Sequence, residues 1–336
     1  MTEVHTSAPG KAVVAGEYAV LNGAPAIAMA VNRRARVQII GTGNSAHSVS
    51  APGYLAGSHR FELDSGGHIR WLNPLPGRHA LSLFEVVWAR SGMTKENGLS
   101  FVLDTTDFFD SKSSSKLGLG SSAALATALA AALVTAGSLS CPIDLLAADA
   151  HRDFQSGAGS GIDIAAAMHG GLIAYQVGKP AISLQWPDGL AYRLLWSGHA
   201  VSTTDKLARM PSPGESSGGD RLADTSRDVS AAWQTGDNEK LLSEMLRYTN
   251  ELRAFSIDHE LGIFEAGHQE LTEMARHFPQ IVYKPCGAGG GDIGIVLGQS
   301  NKDVDLFAAA AAETGYTPLD ISLDPDGILV AGGSLC

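Results

Sequence analysis

The sequence predicts an α/β chain, of α+β type, built as two domains. Three observations point there. Its 336 residues are more than one hydrophobic core usually serves. Short runs of strand character alternate with stretches of helical periodicity along the whole length. The composition changes at Val177-Gly178-Lys179-Pro180, which divides the chain into residues 1–178 and 179–336.

Val4, Thr6 and Ala8 alternate as in a strand, ahead of Pro9-Gly10 and Lys11-Ala12-Val13-Val14-Ala15. Gly16-Glu17-Tyr18 and Asn22-Gly23 punctuate the next stretch, and Asn-Gly predicts a hairpin turn. A strand resumes over Arg34–Ile40. The cluster Arg33, Arg34 and Arg36 reads as a solvated strand face, with contact to an anionic ligand as the alternative. The stretch from Gly41 to Gly67 is loop-rich, with a short strand at Phe61–Leu63. Leu81, Phe84, Val87 and Trp88 recur at helical spacing and predict a core-facing helix; Leu99–Leu103 predicts a strand.

The stretch that organises the rest is Lys116-Leu117-Gly118-Leu119-Gly120-Ser121-Ser122-Ala123-Ala124, a loop running straight into an alanine- and leucine-rich helix that ends at Gly137. Its glycines let the backbone approach a ligand with no Cβ in the way. Ser121 and Ser122 are favoured N-cap residues. The free N–H groups and positive dipole end of such a helix suit a phosphate, and Lys116 adds a full charge at the mouth. A capped core helix behind a glycine turn is the plainer alternative. Gly118-x-Gly120-x-x-Ala123 fits the relaxed dinucleotide fingerprint by letter, but a polar loop precedes it and no carboxylate stands near Ser138. The pattern G-x-x-x-x-G-K-[ST] is absent, since Ala12 follows Gly10-Lys11 and Pro180 follows Gly178-Lys179.

Cys141-Pro142 opens the next helix, with proline expected at its first position. Ile143, Leu146, Ala147, Ala150 and Phe154 form its buried stripe, while His151 and Gln155 share one face. A glycine loop then leads to Asp163 at the head of a short helix, where an aspartate can serve as a ligand contact or simply as an N-cap. Leu172–Tyr175, Ile182–Trp186 and Tyr192–Trp196 read as strands. Helices are expected near 221–234, 239–255 and 264–278. Pro211–Gly219 reads as a lid candidate, and its Gly214-x-Ser216-x-Gly218 matches the hydrolase elbow only by letter, since no strand precedes it. Pro285-Cys286-Gly287-Ala288-Gly289-Gly290-Gly291-Asp292 joins the strands Ile281–Lys284 and Ile293–Leu297. Four glycines in five positions lose much chain entropy on folding, and a plain hairpin needs only one or two. This second glycine loop is therefore expected to fold over the ligand of the first. A helix near Val304–Glu313 and a strand near Leu319–Leu323 close the chain.

Bulk properties narrow the function. With 24 basic and 35 acidic residues the net charge is −11, which argues against a nucleic-acid partner. An acidic protein that binds phosphates must gather positive charge locally. Cys141, Cys286 and Cys336 are an odd, sparse set with no C-x-x-C, favouring a reducing compartment and no structural zinc. Met1–His5 lacks the basic and apolar regions of a signal peptide, and the longest apolar run, Ala123–Ala136, is too short to span a bilayer. A soluble cytoplasmic protein without a membrane partner is expected.

Pro9-Gly10-Lys11 with Gly16-Glu17-Tyr18, then Gly118–Ala124, then Gly287–Asp292 stand in this order. Together they resemble the three motifs of the GHMP kinases, the family of galactose, homoserine, mevalonate and phosphomevalonate kinases. The resemblance covers nearly the whole chain and implies a two-domain fold. An N-terminal domain would carry the nucleotide loop, and a C-terminal ferredoxin-like domain would supply the third motif. It also implies ATP and Mg2+ as cofactors. Within the family the chain looks most like the branch that phosphorylates phosphomevalonate. The resemblance rests on Gly16-Glu17-Tyr18-Ala19-Val20 and on Lys116 two positions before Gly118. His151 to Gln155 with Gly159–Asp163, the Lys284-Pro285-x-Gly287 opening of the third motif, and Ser202-Thr203 add to it. One departure from mevalonate kinases is the absence of glutamate from Cys141 to Asp163, which leaves the Ser122 hydroxyl as the one assigned metal ligand.

By this resemblance Gly118, Leu119, Gly120, Ser121, Ser122 and Ala123 hold the ATP phosphates, and Lys11, Lys116 and Asp163 are the catalytic set. Lys11, Glu17, Tyr18, His151, Gln155, Ser160, Gly161, Ser202, Gly287, Ala288, Gly289 and Gly290 surround the acceptor. The expected partners are a small-molecule substrate, a phosphorylated mevalonate, and at most a second copy of the chain in a homodimer. A phosphate acceptor is largely ionised near pH 7, so charge repulsion, rather than the lack of a base, is the obstacle that Lys11 and Lys116 would lower. The alternatives are mevalonate kinase, the ATP-dependent diphosphomevalonate decarboxylase, and a non-catalytic sensor on the same fold. A sensor would be expected to lose Lys11, Lys116 or Asp163, and all three are present.

Overall fold

The computed structural model describes residues 3–77, 79–94, 97–157, 159–201, 206 and 217–331. In chain order the strands and helices are β1 (Glu3–Ala15), β2 (Ala26–Gly41), β3 (His47–Ala51), β4 (Leu55–Leu63), β5 (Ile69–Trp71), α1 (Ser82–Ser91), β6 (Leu99–Asp104), α2 (Ser121–Gly137), α3 (Ile143–Phe154), α4 (Ile162–His169), β7 (Leu172–Tyr175), β8 (Ile182–Leu184) and β9 (Ala191–Trp196). After these come α5 (Ser217–Thr235), α6 (Asn238–Asp258), α7 (His268–Ala275), β10 (Ile281–Pro285), β11 (Ile293–Gly298), α8 (Asn301–Glu313), β12 (Thr317–Leu319) and β13 (Leu329–Ala331).

They form two sheets. The first runs β13-β1-β2-β6-β3-β4-β5, with β7 and β8 added beside β2. The second runs β10-β11-β9-β12 and is antiparallel throughout. Taken with α5–α8, it has the βαββαβ order of a ferredoxin-like lobe, with extra helices in the first crossover. β8 lies beyond residue 178 yet pairs with β7 in the first sheet, and β13 returns from the far end of the chain to pair with β1.

Helix α2 is apolar on nearly every side and almost fully buried. An all-round apolar helix belongs in a core, and here alanine lets its neighbours come close. On one side Phe61, Phe84, Trp88 and Phe101 pack with Leu129 and Leu133. A second core joins the lobes: Val14, Met29 and Leu119 pack with Leu194, Tyr248, Phe255 and Ile295. The candidate site sits where these lobes meet.

Several elements differ from the sequence expectation. Asn22-Gly23 ends a short 3-10 turn over Ala19–Asn22 instead of a two-residue hairpin, because Tyr18 and Gly23 both take positive φ and fold the chain tightly. Residues 47–51 and 55–63 are paired strands within the stretch read as loop-rich; burial alternates along the first, and the second extends the short strand expected at Phe61–Leu63 back to Leu55. Pro142 is the N-cap of α3 and not its first helical residue. Gly120, at φ +77°, and not Ser121 or Ser122, caps α2, since both serines already lie inside the helix. The strand expected at Leu319–Leu323 stops at Leu319, because the chain there leaves the second sheet for the first. Arg34 is not a solvated strand residue: it is largely buried, with its guanidinium on Asp324. Ser202, Thr203 and the first six residues of the lid candidate lie outside the described residues, and Ser217–Gly219 already belong to α5. No described helix is long and apolar enough to cross a membrane.

Candidate active site

Strand β1 delivers Lys11. Its pairing with β2 shifts register between Pro9 and Gly10. A Cβ on Gly10 would come within 2.5 Å of the Leu119 carbonyl and of the Phe108 ring, so only glycine lets β1 lie this close to the loop before α2. The Lys11 N–H then donates to the Leu119 carbonyl at 2.8 Å. The Lys11 side chain runs beneath Gly120, whose missing Cβ leaves room for it. Its ammonium ends 3.8 Å from Asp163 Oδ2 and next to Gly287.

Asp163 lies in the first turn of α4, which Gly161 caps at φ +84°, so its carboxylate is free of a capping role. The Tyr175 hydroxyl donates to the Ser160 carbonyl and fixes the entry to this helix. From α3, His151 places Nε2 at 3.0 Å from Ser122 Oγ. Burial lowers the His151 pKa and Lys11 lowers it further, against the pull of Asp163. Its ring is therefore neutral at pH 7, and in the tautomer protonated at Nδ1 the bare Nε2 accepts the serine proton. That leaves both Ser122 lone pairs available to a hard cation or a solvent molecule. No side chain caps α2, so the first-turn N–H groups of Ser121, Ser122 and Ala123 have no partner within the helix.

The third glycine motif closes the site from the second lobe. Glu17, nearly fully buried, holds it from below: its Oε1 accepts from Lys284 Nζ at 2.5 Å and from the Gly287 N–H at 3.3 Å, and its Oε2 from the Tyr248 hydroxyl at 2.9 Å. Tyr18, at a positive φ of 60°, donates its hydroxyl to the Ala288 carbonyl at 2.7 Å. Lys206 Nζ donates to the Gly289 and Gly262 carbonyls, and the Gly290 N–H donates to the Ile263 carbonyl.

Two cavities meet here. The larger, about 560 Å³, is lined by Tyr54, Leu81, Phe109, Lys116, Ser121, Ser122 and Phe154. The smaller, about 120 Å³, is lined by Lys11, Tyr18, His151, Gln155, Ser160, Asp163 and Ala288, with Glu17, Gly161 and Gly287 also at its wall. The Ser122–His151 hydrogen bond joins the two. The structure thus gathers Lys11, Asp163, His151, Gln155, Ser160 and the opening of the third motif around one space. Lys116 stands on the other side, exposed at the larger cavity, its ammonium 5.9 Å from the Tyr54 ring centroid. Gly289 and Gly290 lie further along the motif, against Ile263 and Lys206.

Comparison with known proteins places the chain in one family. The model for the GHMP kinases N terminal domain matches residues 85–171. The phosphomevalonate kinase of Streptomyces sp. (strain CL190) is 30% identical over 372 residues, spanning 96% of this chain and 97% of that protein. The chain belongs to the GHMP kinases. A mevalonate kinase of Pyrococcus abyssi (strain GE5 / Orsay) is 28% identical over 354 residues, covering 97% of both. Among solved structures, the Lin0012 protein from Listeria innocua superposes with a TM-score of 0.84 at 24% identity, over 98% of this chain and 100% of that one. Streptococcus pneumoniae phosphomevalonate kinase in complex with phosphomevalonate and AMPPNP gives 0.73 at 19% identity, over 96% and 100%. These two show the same two-lobed fold.

Sequence reasoning about this GHMP kinase quoted Lys284 and Asp292 only as parts of the third motif, without a role, and passed over Tyr248 and His268, which pack beneath that motif. Lys284 did carry a signal. A lysine between Tyr283 and Pro285-Cys286, at the end of an otherwise apolar strand, has no reason to be there without a buried anion. Tyr248 and His268 sit on helices whose patterns read as ordinary core. Among the described residues no three His, Cys, Asp or Glu cluster as metal ligands. The oxygens at hand are Ser122 Oγ and the Asp163 carboxylate. A magnesium ion that takes most of its ligands from substrate phosphates and water needs few protein oxygens, so this donor set fits it.

Proposed function

We propose that the chain catalyses ATP-dependent phosphorylation of 5-phosphomevalonate to 5-diphosphomevalonate, with release of ADP. The observation that carries this reading is the meeting of two cavities at a helix N-terminus that no side chain caps, with a lysine on each side: Lys116 at the larger, Lys11 at the smaller. The full-length similarity to the Streptomyces enzyme supports the choice of acceptor.

In this reading ATP occupies the larger cavity. Its phosphates lie against Gly118–Ala123, taking hydrogen bonds from first-turn N–H groups and the serine hydroxyls. Magnesium, when bound, would screen phosphate charge, with Ser122 Oγ its protein ligand. The acceptor lies in the smaller cavity against Tyr18, His151, Gln155, Ser160, Gly161 and Ala288. An unprotonated oxygen of its phosphate forms the new bond to the γ-phosphorus. The bond from that phosphorus to the β–γ bridging oxygen breaks, and ADP leaves with that electron pair. Lys11 reduces the repulsion between the two anions, and Asp163 holds the Lys11 ammonium in place. Lys116 adds positive charge on the nucleotide side.

A second reading keeps the same site with mevalonate as acceptor. It is favoured by the partial exposure of Asp163 beside Lys11, which suits removal of a hydroxyl proton. A coupled ADP-release assay with mevalonate, 5-phosphomevalonate and 5-diphosphomevalonate offered separately decides between them. Turnover with 5-phosphomevalonate alone is expected. Turnover with mevalonate alone moves Asp163 to the role of base, and turnover with 5-diphosphomevalonate alone indicates the decarboxylase. Under the first outcome, Lys116→Ala lowers kcat/KM by roughly a hundredfold or more, as removal of one transition-state charge contact does elsewhere, with the fold intact by circular dichroism. A folded Lys116→Ala variant of near-full activity overturns the role given to Lys116 on the nucleotide side.

A further inference from the structure

The far end of the third glycine motif is held by a residue to which the proposed reaction gives no role. His268, at the start of α7, is fully buried. Its Nε2 lies 2.9 Å from the Gly291 carbonyl and its Nδ1 lies 2.7 Å from the Tyr283 hydroxyl. A carbonyl can only accept, so Nε2 carries the proton. Burial holds the ring neutral, with a pKa pushed down to about 4. Nδ1 is then bare and takes the Tyr283 proton. The tautomer is fixed by its two partners.

The Gly291 carbonyl belongs to the peptide that leads into the next residue, so this bond orients that peptide plane. Asp292 is in the left-handed region at φ +53°, which a non-glycine residue keeps only when its surroundings enforce it. Its N–H donates to the His199 carbonyl, its carbonyl accepts from the Ser197 N–H, and its Oδ1 accepts from the Val201 N–H. So placed, its side chain presses on Gly118 of the loop before α2: a Cβ on Gly118 would lie 2.3 Å from Asp292 Cβ. The two ends of the motif are thus held separately. Glu17 and Tyr18 hold Gly287 and Ala288 at the smaller cavity, and His268 holds Gly291 and Asp292 against the phosphate loop.

We propose that His268 is a positioning residue for the nucleotide: through the Gly291 carbonyl it sets Asp292 against Gly118 and so fixes the shape of the phosphate loop. The idea rests on the reading that this loop holds the phosphates of ATP. Two experiments separate the two. In the full chain labelled with 15N-histidine, His268 is expected as the neutral Nε2–H tautomer, unchanged between about pH 6 and 8. A titrating ring or an Nδ1–H tautomer overturns the proposal, whatever the substrate. Second, binding of N-methylanthraniloyl-ADP is measured for the wild-type chain, His268→Gln and His268→Asn, alongside the KM of the acceptor. Failure of the wild-type chain to bind this probe counts against the nucleotide reading and the loop-shaping role together, and leaves the tautomer result standing. Glutamine can return a donor to the Gly291 carbonyl, whereas asparagine, one carbon shorter, cannot reach it. His268→Asn is expected to weaken the probe by roughly tenfold, the worth of one buried hydrogen bond, and His268→Gln to recover most of that loss. The acceptor KM stays within about twofold in both, a change smaller than one such bond. Equal probe affinities in folded Gln and Asn variants, or a matching rise in acceptor KM, overturn it.

Discussion

Glu17 and Lys284 form an ion pair with no measurable exposure on the lysine side and almost none on the glutamate. Two charges taken out of water gain little by meeting, but either one left alone is severely penalised. Here the pair ties β10 to the turn after β1, and the same carboxylate orients the Gly287 N–H. Glu17→Gln or Lys284→Met alone should therefore lower the unfolding free energy by about 3–5 kcal/mol, and the double substitution by clearly less than the sum. Urea denaturation checks both, and a single-variant loss under about 1 kcal/mol would mean that the charges are solvated. This pair also marks the limit of the sequence reading. Glu17 stood out because it follows a glycine at a turn, but its partner lies 267 positions away, and no local pattern links them. The acceptor role assigned to Glu17 is met by a carboxylate already committed to Lys284, Tyr248 and Gly287.

Glycine-rich turns were the most legible elements, because what glycine permits is local: a positive φ, or a backbone contact too close for a Cβ. Gly118 needs both, with φ +78° and Asp292 in the space of its absent side chain. Gly118→Ala should accordingly weaken nucleotide binding by roughly tenfold or more and lower Tm, whereas Gly23→Ala, with open space around it, suffers only the backbone strain. A differential titration of N-methylanthraniloyl-ADP with thermal melts of both variants checks this. Helix caps were less legible, since Gly120 and the serines after it compete for one position that only the entering chain direction decides. The histidine beneath the second glycine loop was not legible at all, yet it sets a pH dependence. Its folded pKa is pushed from 6.5 down to about 4, first by burial and then by Lys206 and Lys284, against the Gly291 bond. Between those values the unfolded chain takes up a proton that the folded chain refuses. This contribution is complete above about pH 6.5 and is lost as pH falls toward 4, at most about 3 kcal/mol. The urea midpoint of the wild-type chain should therefore fall between about pH 7 and about pH 5, and His268→Gln, which has no ring to protonate, should flatten that slope.

At the scale of the molecule, the end of the chain has a role that its sequence did not announce. After β12 leaves the second sheet, residues 320–331 cross to the first and finish there as β13. Arg34 holds this strap: its guanidinium meets Asp324 Oδ2 at 2.7 Å and the carbonyls of Asp326, Gly327 and Ser7. The Gly171 N–H donates to the Asp324 carbonyl, and Gly327 passes so close to Met168 that a Cβ there would lie 2.0 Å from its carbonyl. Met168 and Gly171 flank the end of α4, the helix whose first turn bears Asp163. One planar fork thus secures the route between the lobes and the seat of the helix behind the smaller cavity. Arg34→Ala leaves the Asp324 carboxylate mostly buried without its cation and frees several carbonyls, for a loss of about 3 kcal/mol or more. Arg34→Lys keeps the charge and loses the fork, so it should recover only part. If the strap also steadies α4, the two variants raise the acceptor KM in the same order as they lose stability, while probe affinity at the phosphate loop holds. Melts and steady-state kinetics on the same preparations test this. A stable Arg34→Ala variant would show that β13 pairing alone holds the strap, and a shift in probe affinity would place its influence on α2 instead.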